Sequence, residues 1–200
     1  SVPQWLYDYG REQIGPEWDT MLKSLNQPAD VFIRANTLRT TREELMRKMH
    51  LENVHVVEVD EVPTALRLTE RKNLATSESF KQGFFEVQDA ASQMVAPLLK
   101  PEQNMTVIDA CAGGGGKTLH LAALMRNRGT LIAMDVNEGK LKKLMERAAR
   151  NGAGMIATKL ISPETLASFK GKADRLLLDV PCTGLGVLRR NPDTKWKLSL

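Results

Sequence analysis

The sequence predicts an α/β protein in which a small α+β unit precedes a parallel sheet whose strands alternate with helices. Two observations carry this prediction: a valine-rich alternating stretch within the first 80 residues, and a rhythm of short apolar strands and amphipathic helices from residue 84 onward. The composition, with 42% hydrophobic and 26% charged residues, is typical of globular domains and excludes disordered, collagen-like and coiled-coil chains. No run of 18 apolar residues and no signal-peptide pattern occurs, so we expect no membrane span and no secretory leader.

The first 82 residues predict the small α+β unit. Thr40 or Thr41 is placed to cap a helix whose first turn carries two acids. The valines of residues 54–59 and the alternation at residues 66–68 each predict a strand. A polar stretch over residues 72–83 then predicts the boundary, which divides the chain into residues 1–82 and 83–200.

Residues 83–200 predict the parallel sheet and its crossover helices. The predicted strands cover residues 106–109, 130–135, 155–161 and 176–179, and the predicted helices cover residues 90–99, 118–126, 141–149 and 163–169. Strands and helices that alternate at this spacing are typical of a parallel sheet. In such a sheet, ligands bind at the carboxyl ends of the strands.

The strongest functional motif is a glycine-rich loop between the first of these strands and the helix after it. It reads Asp-Ala-Cys-Ala-Gly-Gly-Gly-Gly-Lys-Thr from Asp109 to Thr118. Consecutive glycines let the backbone turn tightly and approach a ligand closely. The helix that follows offers free N–H groups and a partial positive charge, so the loop is a candidate ligand site.

Three ligand classes are candidates for such a loop. The dinucleotide fingerprint G-x-G-x-x-G fails, because its third glycine falls on another residue in either register. The phosphate-binding P-loop nearly fits: Gly116-Lys117-Thr118 supplies its end, but its first glycine falls on Cys111. S-adenosylmethionine is favoured by Asp135, which ends the next strand where a doubly wound sheet places an acid on ribose hydroxyls.

A second motif follows the fourth predicted strand, at the same edge of the sheet. It reads Asp-Val-Pro-Cys-Thr-Gly-Leu-Gly from Asp179 to Gly186, and it combines an acid with the thiol of Cys182. The sequence holds only one other cysteine, Cys111, which excludes a disulfide framework and favours a reducing, cytoplasmic compartment.

Positive charge is concentrated in the second half of the sequence. The first hundred residues carry 12 Lys and Arg against 15 Asp and Glu, whereas the second hundred carry 16 against 9. Four cations surround Trp196 within residues 187–197. Because cations bind phosphates and an aromatic ring stacks on a base, this segment is a candidate RNA contact. A solvated basic loop stays open as the alternative.

Taken together, these segments resemble the Sun/Fmu-type (NOL/NOP/Sun) family of RNA (cytosine-5-)-methyltransferases. The resemblance rests on the two motifs at residues 109–118 and 179–186, and it extends to residues 32–38, 83–92 and 189–193. It implies a class I methyltransferase domain over residues 83–200, with a Rossmann-like sheet that is incomplete at its C-terminal side. It also implies a small RNA-binding α+β domain over residues 1–82.

The implied reaction is S-adenosylmethionine-dependent methylation of carbon 5 of cytosine in RNA, with ribosomal RNA favoured and transfer RNA as the alternative. The implied catalytic residues are Asp179, which also lies at the cofactor, and Cys182, which helps to release the product. The implied cofactor-binding residues are Cys111, Ala112, Gly113, Gly114, Gly115, Gly116, Lys117, Asp135 and Asp179. The implied RNA-binding residues are Arg34, Arg189, Arg190 and Lys195. No metal ion and no membrane partner is expected.

Three departures from the family pattern modify these expectations. Gly114 stands where the family usually has Pro, which predicts a more flexible loop. Residues 159–162 lack the acid that the family tends to carry near the adenine of the cofactor. The family's nucleophilic cysteine belongs to a later Thr-Cys-Ser motif, whereas this sequence ends at Leu200. We therefore expect these 200 residues alone to be inactive, with a non-catalytic nucleotide- or RNA-binding module as the alternative function and a P-loop NTPase as the third.

Overall fold

The computed structural model describes residues 2–198, which form nine α-helices and eight β-strands. The helices are α1 (Gln4–Ile14), α2 (Trp18–Leu25), α3 (Arg42–Leu51), α4 (Glu78–Lys81), α5 (Ala90–Leu98), α6 (Gly116–Leu124), α7 (Glu138–Asn151), α8 (Pro163–Ser168) and α9 (Thr194–Lys197). The strands are β1 (Phe32–Ala35), β2 (Val56–Glu58), β3 (Ala65–Leu68), β4 (Phe85–Val87), β5 (Thr106–Asp109), β6 (Thr130–Asp135), β7 (Ile156–Leu160) and β8 (Arg175–Leu177). Within the described residues, no helix is long and apolar enough to cross a membrane.

The chain divides into a larger unit, residues 31–180, and a smaller unit that combines residues 2–30 with residues 181–198. In the smaller unit, Leu6 of α1 and Trp18 and Leu22 of α2 pack with Leu188 in one apolar core. Gly10 allows this packing, because a Cβ at that position would lie 2.0 Å from the Trp18 ring.

Four strands of the larger unit form an antiparallel sheet in the order β2-β3-β1-β4. Helix α3 packs against it, and the side chains of Ile33, Leu45, Met49, Leu66 and Phe85 lie in their common core. The Oγ1 of Thr41 accepts the N–H of Glu44 at 3.1 Å and so caps α3. The predicted helix and both predicted strands between residues 40 and 68 are confirmed.

The other four strands form a parallel sheet in the order β7-β6-β5-β8. Strand β5 pairs with β6 on one side and with β8 on the other, and helices connect the strands in sequence. The predicted α/β architecture is therefore confirmed. Among the described residues β8 lies at an edge of the sheet, as expected for the last predicted strand.

The compact units of the structure do not coincide with the two predicted segments. Strand β4 lies beyond residue 82, yet it pairs with β1 in the antiparallel sheet, with Ala35 opposite Phe85. The polar stretch before it holds α4 and is a connection within the larger unit. Residues 2–30 also belong to a different unit from residues 31–82. The division of the chain into domains at residues 1–82 and 83–200 stays a prediction.

The two sheets of the larger unit are joined where β1 and β4 approach the end of α7. The amide Nδ2 of Asn36 donates to the carbonyl oxygens of Gly83 at 2.8 Å and Asn151 at 2.9 Å. Gly83 has a φ of +70°, and a Cβ there would lie 2.1 Å from the carbonyl oxygen of Arg150. A glycine at this position therefore lets the backbone of the antiparallel sheet approach α7 closely.

Helix α6 carries a buried histidine that makes the stability of the fold depend on pH. His120 is 2% exposed, and burial, with a smaller effect from the charge of Arg34, lowers its pKa from 6.5 to about 3. In the folded protein His120 therefore stays neutral at pH values at which the unfolded chain binds a proton. This difference lowers the free energy of unfolding as the pH falls below 6.5.

We predict that His120→Leu removes this part of the pH dependence. Between pH 7 and pH 5 the wild-type protein should lose about 2 kcal/mol more unfolding free energy than the variant, because only the wild type has a histidine that must stay neutral. Urea denaturation at both pH values measures the difference. Equal losses in the two proteins would contradict the assignment.

Candidate functional site

The glycine-rich loop connects the end of β5 to the start of α6, as the sequence predicted. Gly113 and Gly115 have positive φ values of 54° and 84°, a backbone conformation that favours glycine. A Cβ at Gly115 would also lie 2.5 Å from Cγ of Leu144. Gly114 and Gly116 have no positive φ, so their backbone conformation does not require glycine.

Backbone hydrogen bonds hold this loop against the end of β6. The N–H of Ala112 donates to the carbonyl of Met134 at 2.8 Å. The N–H of Gly113 donates to Oδ2 of Asp135 at 2.9 Å, and the other carboxylate oxygen of Asp135 accepts the N–H of Asn137 at 2.8 Å. The loop and Asp135 are thus brought together, and the carboxylate is fixed in orientation.

A cavity of about 180 Å³ opens beside the loop at the carboxyl end of the sheet. Its lining includes four of the predicted cofactor-binding residues of the loop, the predicted Asp179, and three residues to which the sequence analysis gave no role. The lining residues are Gln88, Ser92, Asp109, Cys111, Ala112, Gly116, Lys117 and Asp179. Nζ of Lys117 forms an ion pair with Asp179 at this cavity.

Two of the unassigned lining residues carry buried acceptors that have no hydrogen-bond partner. These atoms are Oδ1 of Asp109 and Oε1 of Gln88. Such atoms are costly unless a ligand or water completes them. Burial, followed by the charge of Asp179, raises the pKa of the Asp109 carboxyl, and a hydrogen bond from Thr118 opposes the rise. The site therefore offers acceptors to a ligand that carries N–H groups or positive charge.

The arrangement does not support the P-loop alternative. A P-loop turns its Lys and its Ser or Thr toward phosphate and Mg²⁺. Here Thr118 is fully buried and its Oγ1 donates to Oδ2 of Asp109 at 2.7 Å, while Lys117 pairs with Asp179. Both side chains are thus committed to acids of the protein.

The structure distinguishes the two cysteines. The thiol of Cys111 lies half-buried in the cavity, where burial and the charges of Asp109, Asp135 and Asp179 raise its pKa. A raised pKa lowers the fraction of reactive thiolate at neutral pH, and Cys111 is one of the residues that line the cavity. Cys182 is exposed and belongs to the smaller unit, and its catalytic role stays a prediction.

Two of the predicted RNA-binding residues are buried, and a role in RNA binding stays a prediction for both. Arg34 is 2% exposed and its Nη1 donates to the carbonyl of Gly116 at 3.1 Å. Lys195 is 7% exposed and its Nζ donates to Oδ1 of Asn26 at 3.0 Å. Neither charge is presented to a phosphate. Because Lys and Arg are seldom buried, the sequence pattern alone did not reveal these internal roles.

The other two predicted RNA-binding residues, Arg189 and Arg190, belong to the smaller unit and are more exposed than Arg34 and Lys195. Arg189 donates to the carbonyl oxygens of Gln27 and Pro28, at 3.4 and 2.8 Å. Arg190 is exposed and donates to the carbonyl of Asp30 at 3.5 Å. A role in RNA binding stays a prediction for both residues.

Two family models match the chain. The model described as 16S rRNA methyltransferase RsmB/F matches residues 96–199. The model described as the ferredoxin-like domain of RsmF/B-like methyltransferases matches residues 2–75.

Similar proteins carry related names. The chain is 35% identical over 202 residues to the probable ribosomal RNA small subunit methyltransferase B of Synechocystis sp. and 33% identical over 199 residues to that of Bacillus subtilis. Each match covers 98% of this chain but only 45% and 44% of the relative, so the chain spans about half the length of these relatives. A crystal structure of a methyltransferase homologue protein from Pyrococcus horikoshii shares 27% identity, with a TM-score of 0.84 over 95% of this chain and 63% of that chain.

We predict that the glycines of the loop are not interchangeable in their effect on stability. Gly115→Ala should lower the free energy of unfolding by about 2–4 kcal/mol, because alanine would take a left-handed conformation and clash with Leu144. Gly116→Ala is the matched control: it meets nothing closer than 3.8 Å and should change stability by less than about 1 kcal/mol. Urea denaturation compares them, and equal losses would contradict the prediction.

Proposed function

This chain belongs to the 16S rRNA methyltransferase RsmB/F family, and from that premise we propose that it binds S-adenosylmethionine as part of an enzyme that methylates carbon 5 of cytosine in ribosomal RNA. The observation that carries the proposal is the cavity beside the glycine-rich loop, with its unpartnered acceptors on Asp109 and Gln88. A cofactor that bears an ammonium group and ribose hydroxyls would complete acceptors of this kind.

The loop and the aspartates would bind different parts of the cofactor. Residues 111–117 would surround its methionine end, where Oδ1 of Asp109 and Oε1 of Gln88 are free to accept hydrogen bonds. Asp135 would accept hydrogen bonds from the ribose hydroxyls, since its carboxylate lies at the end of β6 and is already oriented by the N–H groups of Gly113 and Asn137. When bound, S-adenosylmethionine supplies an electrophilic methyl group on a positively charged sulfur.

Asp179, held by Lys117, would act at the base. The carboxylate of Asp179 is half-exposed at the cavity and is held by Lys117, so it can accept a hydrogen bond from the exocyclic amino group of cytosine. The family resemblance assigns the first step to a cysteine thiolate that adds to carbon 6, which makes carbon 5 nucleophilic. Cys182 would be the second cysteine, which helps to eliminate the first one and release the product.

The RNA partner is proposed from the names of the relatives. Both are named for the RNA of the small ribosomal subunit, and they match almost the whole of this chain. Arg189 and Arg190 are the predicted phosphate contacts that the structure leaves near the surface. A cytoplasmic site of action fits this substrate and the two unpaired cysteines.

We predict that Asp135→Ala raises the dissociation constant for S-adenosylmethionine at least tenfold. The variant loses one or two charge-assisted hydrogen bonds of roughly 1.5–3 kcal/mol each. Glu138→Ala, an exposed acid in the first turn of α7, is the matched control and should leave binding unchanged. Calorimetry measures both variants, and ATP with Mg²⁺ should not bind. Unchanged affinity in Asp135→Ala, or binding of ATP instead, would overturn the assignment.

The reaction itself is tested on the RNA of the host cell. If the gene that encodes this chain is disrupted, we expect bisulfite sequencing of small-subunit ribosomal RNA to lose the signal of a methylated cytosine. The intact gene should restore that signal, whereas a copy that carries Asp179→Ala should not. A methylation pattern that is the same with and without the gene would refute the proposed reaction.

A further inference from the structure

The outer turn of the glycine-rich loop is held from outside the parallel sheet. Gly114 is exposed, and its carbonyl oxygen accepts a hydrogen bond from Nη1 of Arg147, which lies on α7. Neither Gly114 nor Arg147 lines the cavity. The contact therefore acts on the shape of the loop and not directly on a ligand.

The same guanidinium is anchored to the antiparallel sheet. Nε and Nη2 of Arg147 both donate to Oε2 of Glu86 on β4, at 3.2 and 2.7 Å. The Glu86 side chain is only 3% exposed, and its other oxygen accepts hydrogen bonds from Arg150 and from Asn151. Burial alone would raise the pKa of Glu86, but the charge and hydrogen bonds of Arg147, with those of Asn151 and Arg150, hold it below its ordinary value. Glu86 is thus a charged, fixed anchor for Arg147.

A second arginine, which lies on the antiparallel sheet, contacts the loop two residues after Gly114. Nη1 of Arg34 on β1 donates to the carbonyl of Gly116 at 3.1 Å. Two arginines therefore hold the carbonyl oxygens on either side of Gly115. Arg34 on β1 and Glu86 on β4 lie on strands that pair directly with each other, so both contacts to the loop depend on the same antiparallel sheet.

We propose that Glu86 and Arg147 are positioning residues, which hold the glycine-rich loop in the shape that binds the cofactor. The inference rests on the proposed function of the loop as the S-adenosylmethionine site. Its physical basis is that four successive glycines lose a large conformational entropy when they are ordered. A loop that is already ordered in the free protein does not lose that entropy when the ligand binds.

Helix α7 offers a matched control. Arg150 is bonded to the same carboxylate as Arg147, but it reaches Glu86 and the Phe80 ring rather than the loop. Arg147→Gln and Arg150→Gln each remove one ion pair to Glu86, and only the first also removes the bond to Gly114. A purely structural role of Glu86 would make the two variants alike.

We expect Arg147→Gln to raise the dissociation constant for S-adenosylmethionine about tenfold, and Arg150→Gln to change it less than twofold. The amide of Gly115, which donates to the carbonyl of Ala112 at 2.9 Å, reports on the loop without any ligand. Its hydrogen exchange should be faster in Arg147→Gln than in the wild type, and unchanged in Arg150→Gln. Arg147→Lys gives a variant that keeps a charge beside Glu86, and it should show the same faster exchange with little loss of thermal stability.

The outcomes separate this inference from the proposed function. If the wild type does not bind S-adenosylmethionine, the proposed function fails, and faster exchange in the Arg147 variants would still show that Arg147 orders the loop. If the wild type binds and Gly115 exchanges at the same rate in every variant, the positioning role is overturned. Equal loss of affinity in Arg147→Gln and Arg150→Gln would overturn it as well.

Discussion

The larger unit depends on the ion pairs and hydrogen bonds that the buried carboxylate of Glu86 forms with α7. A charge in the interior is tolerated only when it is paired and hydrogen-bonded, and breaking such a pair costs about 3–5 kcal/mol because the remaining charge is left without a partner. Glu86 satisfies this condition with donors from one turn of α7, namely Arg147, Arg150 and Asn151. The backbone of the antiparallel sheet is held close to the same turn, since Asn36 donates to the carbonyl of Asn151. Polar contacts of specific geometry therefore join the two sheets, and each sheet also has its own apolar core.

This joint has consequences at the cavity. The cavity lies at the carboxyl end of the parallel sheet, where β5 ends in Asp109, β6 ends in Asp135 and Asp179 follows β8. Three carboxylates so close together would repel one another, and the structure offsets the repulsion in different ways. Asp109 accepts a hydrogen bond from Thr118, Asp135 accepts two backbone N–H groups, and Asp179 pairs with Lys117. Each acid is thereby given a fixed direction.

Periodicity predicted the parallel sheet because one helix connects each of its strands to the next strand in sequence, so the signal is local. The loop and Asp135 could be predicted for a related reason: parallel strands bring their carboxyl ends to one edge. The pairing of β4 with β1 is not local, since 49 residues lie between Ala35 and its partner Phe85 in the sequence. A polar segment between them looked like a domain boundary. Only the register of the sheet identifies it as an internal connection.

The burial of charged side chains also could not be predicted from the sequence. Ile33, Arg34 and Ala35 are consecutive and all buried, so both faces of β1 are covered. A strand with one solvated face would have exposed Arg34, and the sequence offers no sign of the second covering layer. Gln88 was missed because a glutamine carries no distinctive signal. Its role depends on an acceptor that is left unpartnered at the cavity, which only the structure reveals.

The segment Gly116-Lys117-Thr118 illustrates how partners, and not residue types, decide the chemistry of a motif. In a phosphate site these residues would face an anion. Here Lys117 and Thr118 face Asp179 and Asp109, and Asp135 completes a cluster of acids around the thiol of Cys111. A polyphosphate entering this cavity would meet carboxylates of its own sign, whereas a ligand with a cationic centre would be attracted. The electrostatics of the strand ends therefore favour a sulfonium- and ammonium-bearing cofactor over a nucleoside triphosphate, although the glycines by themselves are compatible with either.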